Sequence, residues 1–304
     1  MYGARVTWVL VDVSYLAYRA QYSLRGLSHE DYPTGVIYGF FDQLLSLCRD
    51  PRVDSNKVAL FFDSRKSHRK KAYPRYKQKR VEERGEEELK QIRAMYEQIR
   101  VLRTEILPEM GVAVYRQVGL ESDDLIAQAA KGLHGPSRKA VIVTADGDLY
   151  QCITEGVHWY DPLRAYHDPL TFYAKKGIAS EKWGRVKTLA GCSSDNVEGI
   201  PGVGEKTAIR YLLGALPSTY KSYKAIRSDK GRKIIKRNKR LVVLPHKKTK
   251  PVELREPKYD ADAFFRAMER FGIVSYLEGR KRKTWESFFR ANGRKMRKRG
   301  ERRG

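Results

Sequence analysis

Short, nearly continuous apolar runs alternate with stretches in which apolar residues recur every three or four positions, and this alternation organises the first half of the chain. Residues 6–11 (VTWVLV), 58–62, 112–115 and 140–143 are runs of the first kind, and their length predicts buried parallel strands. Between them, 14–22, 36–47 (Ile37, Phe40, Phe41, Leu44, Leu45) and 89–106 (Leu89, Ile92, Met95, Ile99, Leu102, Ile106) carry helical spacing. Residues 157–160 and 163–166, parted by Asp161-Pro162, predict a small hairpin or edge strand. Strand alternating with helix predicts an α/β fold, a mostly parallel central sheet flanked by helices. From residue 180 the pattern turns helical. A short helix (Trp183, Val186, Leu189) ends near Gly191, and a tight turn at 199–204 leads into a second helix at 205–213.

Composition narrows the partner. The 304 residues hold 61 Lys+Arg against 36 Asp+Glu, a formal charge of +25, and the pI is near 9.9. Such an excess is the footprint of a protein that meets a polyanion, nucleic acid first; ribosomal or membrane-surface attachment is the plainer reading of charge alone. No run approaches the roughly 18 apolar residues of a membrane span, and the first residues lead into a strand, not a signal peptide. Cys48, Cys152 and Cys192 stand far apart with no CxxC pair, which argues for a reducing cytoplasm and against a disulfide framework or structural zinc. Residues 65–80 are dense in Lys and Arg with Tyr73 and Tyr76 interleaved, followed by Glu82, Glu83, Glu86, Glu87 and Glu88. After a strand ending in an acid, that segment reads as a mobile substrate grip rather than a plain solvated face.

The densest chemistry is at 119–127 (GLESDDLIA), where a strand end opens into a helix. Crowding Glu121, Asp123 and Asp124 there costs repulsion unless a cation neutralises them, and hard divalent ions take carboxylate oxygens. The alternative is that Asp123 and Asp124 only cap the helix. Other strand ends deliver Asp12, Asp63 and Asp146 with Asp148, and a later loop carries Asp195. Parallel strands emerge on one edge, so these acids can converge. Such a set binds one or two Mg²⁺ ions, which polarise a scissile phosphate and activate water. The absence of a matched His/Cys set agrees with Mg²⁺ or Mn²⁺ and disfavours zinc.

Six stretches in order, VDVSYLAYRA (11–20), YGF (38–40), FFDSRKSHRKKAYPRYKQKR (61–80), GLESDDLIA (119–127), TADGDLYQ (144–151) and SDNVEGIPGVGEKTA (194–208), make the chain resemble the 5′ nuclease family. That family comprises flap endonucleases, phage 5′→3′ exonucleases and the nuclease domain of bacterial DNA polymerase I. The resemblance covers roughly residues 6–245. It implies a PIN-like nuclease core with a helical arch and a helix–three-turn–helix. Asp12, Asp63, Glu121, Asp123 and Asp146 would hold the first metal, and Asp148 and Asp195 the second. Asp124 would belong to the same metal edge as a supporting or capping carboxylate. Arg69, Tyr76, Lys77 and Arg80 fall on the arch motif, where Arg and Lys would grip the scissile phosphate. Tyr73 and Tyr76 would stack on unpaired bases or pack beneath the arch. Gly199, Gly202 and Gly204 let the backbone turn tightly and present N–H groups at the start of the next helix, a phosphate site. The resemblance makes this the duplex grip, with Lys206 and Arg210 adding charge without base readout, and allows K⁺ at the hairpin carbonyls.

The expected organisation is a nuclease core at 1–178 with the arch at about 64–100, a helical region at 179–279 and a basic, partly disordered tail at 280–304. The expected protein is a freestanding, structure-specific, metal-dependent 5′→3′ exonuclease and flap endonuclease in the cytoplasm of a bacterial or phage-infected cell. It would act on DNA with a 5′ flap or single-strand/double-strand junction, or on RNA–DNA hybrids, with no membrane partner. One departure stands out: the family usually places Gly-Asp-x-x-Asp-Asn before the hairpin, and this chain has Gly191-Cys192-Ser193-Ser194-Asp195-Asn196. A thiol is a poor Mg²⁺ ligand. Weaker second-metal binding and a shifted metal requirement are therefore expected, and a catalytically weakened branched-DNA-binding protein is the alternative function. An endoribonuclease on a related acidic fold is the more distant rival.

Overall fold

The computed structural model describes residues 8–136 and 139–300. The chain divides into two compact units that interleave along the sequence. Among the described residues, one comprises Asp63–Gly85 and Arg116–Glu253; the other comprises those up to Phe62, Glu86–Tyr115 and those from Leu254 on. This differs from the division at 178/179 and 279/280 read from the sequence. A change from strand-helix alternation to helices marks a change of pattern, whereas units are set by which buried faces meet, and here the chain crosses between units several times.

In the second unit, the strands Trp8–Asp12, Val58–Phe61 and Val114–Tyr115 run parallel, with Val9 opposite Val58 and Leu60 opposite Val114. Val9, Leu10, Val11 and all of Val58–Phe61 are buried, as unbroken apolar strands require. The expected strand residues Val6 and Thr7 lie outside the described residues. Asp12 ends its strand and caps the helix Val13–Ser23, its Oδ1 accepting from the Ser14 N–H at 3.1 Å. The helix Gly35–Arg49 has no side-chain cap of its own; buried Gln98 serves instead, its Oε1 accepting from the N–H groups of Val36 and Ile37 at 2.8 and 3.2 Å. Gln98 sits on the helix Glu86–Val101, which runs on through a wider turn at Leu102–Ile106.

The expected tail is not an appendage. Gly279–Gly300 is a helix whose Trp285 is fully buried, 4.4 Å ring to ring from Phe264 and 5.9 Å from Phe41. Its Lys and Arg content hid an apolar stripe, Trp285 with Phe288 and Phe289, at helical spacing. Only 301–304 of that segment lie outside the described residues.

In the first unit, Ala140–Val143 pairs parallel with Val157–Asp161, and Ala165–His167 returns antiparallel around the expected Pro162 turn. The protein is thus an α/β fold with a mixed, mostly parallel sheet and flanking helices. The basic segment forms two short helices, His68–Ala72 and Lys79–Glu82, in the same unit as the acid-bearing loops. The helix from Glu86, which the expected arch included, belongs to the other unit. Further along, the helices Trp183–Ala190 and Glu205–Leu212 are joined by a two-stranded piece, Cys192 opposite Val197, and the turn at 199–204. Gly199 is required by close approach: a Cβ there would lie 2.1 Å from the Ala190 carbonyl oxygen. Gly202 turns the chain at φ 75°, in the left-handed region.

Candidate metal centre and nucleic-acid interface

The helix Ser122–Lys131 starts in a capping box: the Glu121 side chain accepts from the Asp124 N–H, and the Asp124 side chain accepts from the Glu121 N–H. Asp123 Oδ1 also accepts from the Asp124 N–H, at 2.7 Å, and the neighbouring Ser122 N–H donates to Asp63 Oδ1 at 2.8 Å. Local helix-start chemistry therefore brings Asp63, Glu121, Asp123 and Asp124 together. The second group of acids is also built by a helix start. The Asp148 N–H donates to Asp146 Oδ1 at 2.7 Å, as the tight helix Gly147–Cys152 begins, and Trp159 and Trp183 donate to the Asp146 and Gly147 carbonyls.

The basic segment folds onto these acids. Arg69, 2% exposed, donates from Nη1 and Nη2 to both oxygens of fully buried Asp124 at 2.5 and 2.7 Å, and from Nε to the Leu241 carbonyl at 2.8 Å. The Tyr76 hydroxyl lies 2.9 Å from both Glu121 Oε2 and Asp195 Oδ2. Lys77 Nζ donates to Glu121 at 2.8 Å and stands 3.9 Å from Asp195, which Arg80 holds at 2.6 Å. Lys77 adopts φ 55°, a conformation that costs a non-glycine residue roughly 1 kcal/mol or more, and its own N–H is tied to the Asp195 carbonyl at 2.9 Å. Asp195 links this cluster to the next: one oxygen or sulfur each from Asp148, Cys192 and Asp195, all buried, lie within 4.8 Å of one another. Lys187 Nζ is 3.3 Å from Asp148 and 3.6 Å from Glu205.

The electrostatics separate the acids into two kinds. Burial alone would raise Glu121, but the charges of Lys77 and Arg69 outweigh it and hold its carboxyl below the usual range. Asp123 is pushed well above its usual range by burial and by Asp124. Asp146 is raised by the protein around it, against the Asp148 N–H, with Asp195 adding to the shift. Burial and then Asp146 lift Asp148 to about 6, with Lys187 opposing. Burial, then Asp148 and Asp195, lift the Cys192 thiol to about 11. Among the described residues, neither Asp123 nor Asp146 has a cation within ion-pair distance. Carboxyls crowded in this way favour a multivalent cation, and a set of carboxylate oxygens with one thiol fits a divalent ion.

Several expectations change. Arg69 is buried against Asp124 and Leu241, so it is not presented to grip a phosphate, and Asp124, engaged by Arg69 and by the Glu121 and His246 N–H groups, is not offered as a metal ligand but keeps its capping role. Tyr76, 3% exposed, packs with Cys192, Val197, Leu241 and Val242, so it cannot stack on unpaired bases. Both results have one cause: the network of buried acids draws the segment's polar groups inward. Asp12 lies in the other unit, at the end of its own strand. Lys77 and Arg80 stay partly open, and exposed Gly202, Gly204, Lys206 and Arg210 sit at the start and on one face of the helix Glu205–Leu212. Sequence reasoning missed Lys187, the cation on Asp148. Nothing in its neighbourhood along the chain marks it, since the two residues are 39 positions apart.

Residues 7–184 match the family model described as 5′-3′ exonuclease, N-terminal resolvase-like domain. The chain belongs to that family. It is 34% identical over 206 residues to the thermostable DNA polymerase I of Thermus thermophilus, covering 67% of this chain and 23% of that protein. It is 31% identical over 238 residues to DNA polymerase I of Mycobacterium tuberculosis H37Rv, 75% of this chain and 25% of that one. The chain thus spans about a quarter of the length of these relatives. Among solved structures, the T5 D15 protein co-crystallised with metal ions superposes with a TM-score of 0.66 at 18% identity, covering 94% of this chain and 97% of that one. The catalytic core of Rad2 in complex with DNA substrate superposes at 0.51 and 16% identity, over 93% and 90% of the two chains. At those identities the likeness establishes the fold. No helix among the described residues is long and apolar enough to cross a membrane.

Proposed function

We propose that this chain is a structure-specific, divalent-metal-dependent 5′→3′ exonuclease and flap endonuclease that hydrolyses phosphodiesters near 5′ ends or single-strand/double-strand junctions of DNA, RNA–DNA hybrids included. The observation that carries the reading is the convergence of Glu121, Asp195 and Asp148, with Asp123 and Asp146 adjoining in sequence, inside a chain of charge +25 that belongs to the 5′-3′ exonuclease family. Asp63, Glu121, Asp123 and Asp146 are the ligands proposed for one ion and Asp148 and Asp195 for a second; Asp12, the acid closing its own strand, remains a candidate by its sequence position. When bound, Mg²⁺ or Mn²⁺ supplies Lewis-acid polarisation of the scissile phosphate and activation of water.

The chain's own groups do the rest. Tyr76 and Lys77 hold Glu121 and Asp195 in place, and their contacts keep the acids from drifting apart by mutual repulsion. Lys77 and Arg80 are the cations positioned to meet a phosphate as its charge develops. The N–H groups at the Gly204 end of the helix Glu205–Leu212, with Lys206 and Arg210, bind duplex phosphates without reading sequence, and K⁺ at the hairpin carbonyls would assist that grip. The test is cleavage of an end-labelled 5′-flap DNA in Mg²⁺ or Mn²⁺, with EDTA and Asp146→Ala as controls. Metal-dependent product at the junction or 5′ end, lost in the variant, is expected. Tight flap binding without product in either metal refutes the enzyme and leaves a branched-DNA-binding protein.

A further inference from the structure

We infer that Asp148, Cys192 and Asp195 form a mixed thiolate–carboxylate site that takes a borderline divalent ion such as Zn²⁺ or Co²⁺ in preference to Mg²⁺. This rests on the reading of these acids as a metal centre and specifies which ion one part of it prefers.

The geometry is close to what such an ion needs. The three donor atoms lie within 4.8 Å of one another. An ion with a metal–sulfur bond of about 2.3 Å and metal–oxygen bonds of about 2.0 Å in tetrahedral array wants its donors about 3.5 Å apart. Closure therefore requires about an ångström of side-chain movement. The thiol is aimed by its backbone: Cys192 pairs with Val197 in the short antiparallel piece, immediately after Gly191 turns the chain at φ 80°. Its Sγ lies 3.2 Å from Ser194 Oγ, a polar contact that a purely apolar packing role would not supply. Lys187, ion-paired to Asp148 at 3.3 Å, has Glu205 at 3.6 Å as a second partner, so it can leave Asp148 to a metal without becoming an unpaired buried charge.

The chemistry then decides the ion. Mg²⁺ takes oxygen ligands in near-ideal octahedral geometry and gains little from sulfur, whereas zinc and cobalt bind thiolate strongly. On binding, a metal–sulfur bond forms, the S–H bond breaks and the proton leaves to solvent, with no change of oxidation state. The plainer reading is that Cys192 fills space beside Tyr76, Val197, Leu241 and Val242. That reading fits Cys48 and Cys152, which are buried and belong to no three-donor group among the described residues. For Cys192 it leaves out the donor oxygens of Asp148 and Asp195, which lie within 4.8 Å of its sulfur.

The test is an anaerobic Co²⁺ titration of the full chain, followed by near-ultraviolet absorbance. Wild type should develop a sulfur-to-cobalt charge-transfer band that Zn²⁺ abolishes and a large excess of Mg²⁺ does not. Cys192→Ser and Cys192→Asp should lack the band, while Cys48→Ser and Cys152→Ser keep it. Competition with a chelator should show Zn²⁺ held at least about 10-fold more weakly by Cys192→Ser. Circular dichroism confirms that each variant is folded, and Cys192→Asp, which restores a carboxylate, serves if the serine variant is not. No band in wild type, a band that survives in Cys192→Ser, or displacement by Mg²⁺ as easily as by Zn²⁺ overturns the inference. Because the readout is spectroscopic, a band without flap cleavage refutes only the proposed activity, and cleavage without a band refutes only the ion preference.

Discussion

Replacing Arg69 by Met separates two roles that the sequence alone does not distinguish. If Arg69 grips substrate, Arg69→Met lowers cleavage and leaves stability alone. The structure predicts the reverse emphasis. Arg69 is 2% exposed, Asp124 is fully buried, and the pair is bidentate with a third bond to the Leu241 carbonyl. Removing one partner of such a pair leaves a buried charge, which costs about 3–5 kcal/mol. The orphaned Leu241 carbonyl adds about 1 kcal/mol. For a unit of this size, the pair's loss corresponds to a melting-temperature drop of roughly 6–20 °C. Urea denaturation in EDTA, followed by far-ultraviolet circular dichroism, measures it without interference from metal. Arg69→Lys should fall between, since a point charge cannot fill a fork built for two oxygens. The double variant Arg69→Met/Asp124→Asn should recover most of the loss, because it removes the uncompensated charge and keeps an acceptor for the Glu121 and His246 N–H groups. A loss under about 1 kcal/mol for Arg69→Met, or a double variant no more stable than the single, would refute the reasoning.

Other perturbations test other parts. Tyr76→Phe keeps a buried ring but removes the hydroxyl shared by Glu121 and Asp195, and should destabilise the metal-free protein by about 2 kcal/mol in the same denaturation assay. Trp285→Ala should cost about 3–5 kcal/mol, since the residue is fully buried against Phe264; a dispensable basic tail would show no effect. Asp148→Asn should stabilise the protein in EDTA at pH 8. Burial and Asp146 push its carboxyl up to about 6 in the fold, above the ordinary range of an aspartate, so the folded state holds that proton more tightly and stability falls as pH rises through this window. The gain should be on the order of 2–3 kcal/mol at pH 8 and vanish near pH 4, as pH-dependent melting would show. Lys206→Ala and Arg210→Ala should each weaken duplex binding evenly across sequences and reduce the slope of log affinity against log salt by about one, measured by fluorescence anisotropy.

What the sequence disclosed and what it hid follow from the range of the interactions. Strands such as Val58–Phe61 and helices such as Gly35–Arg49 were legible because an apolar run or a helical stripe is a local pattern. Glu121, Asp123 and Asp124 were legible as a group because a helix start concentrates them, and Asp146 with Asp148 for the same reason. The partners of these acids were not. Arg69 meets Asp124 across 55 positions and the Leu241 carbonyl across 172, and no spacing rule spans such distances. The same blindness left Tyr76 open between stacking on bases and packing inside, since a tyrosine in a basic segment fits either until its burial is known. Trp285 was hidden differently: its helix is so rich in Lys and Arg that average polarity outweighed a three-residue apolar stripe.

The internal cations also constrain how the site can work. Among the described residues, four acids of this site carry cations: Glu121 has Lys77, Asp124 has Arg69, Asp195 has Arg80, and Asp148 has Lys187. These pairs are not equivalent. Arg69 and Asp124 are both buried, and breaking them would strand two charges, so that pair holds the basic segment down whatever binds nearby. Lys77, Arg80 and Lys187 are more exposed than Arg69 and lie on acids proposed as ligands, so a bound divalent ion takes over a charge they already satisfy. Displaced from the acids, Lys77 and Arg80 are released to meet a substrate phosphate in the same place. Metal and DNA binding should therefore reinforce each other. The apparent affinity for flap DNA should rise when Ca²⁺, as a non-catalytic stand-in, is added. That rise should shrink in Lys77→Met and Arg80→Met, whose cations are gone before the metal arrives, as anisotropy titrations with and without the ion would show. If Ca²⁺ strengthens DNA binding equally in wild type and both variants, the exchange of cation for metal is not what couples them, and Lys77 and Arg80 act on the substrate independently of the acids they touch.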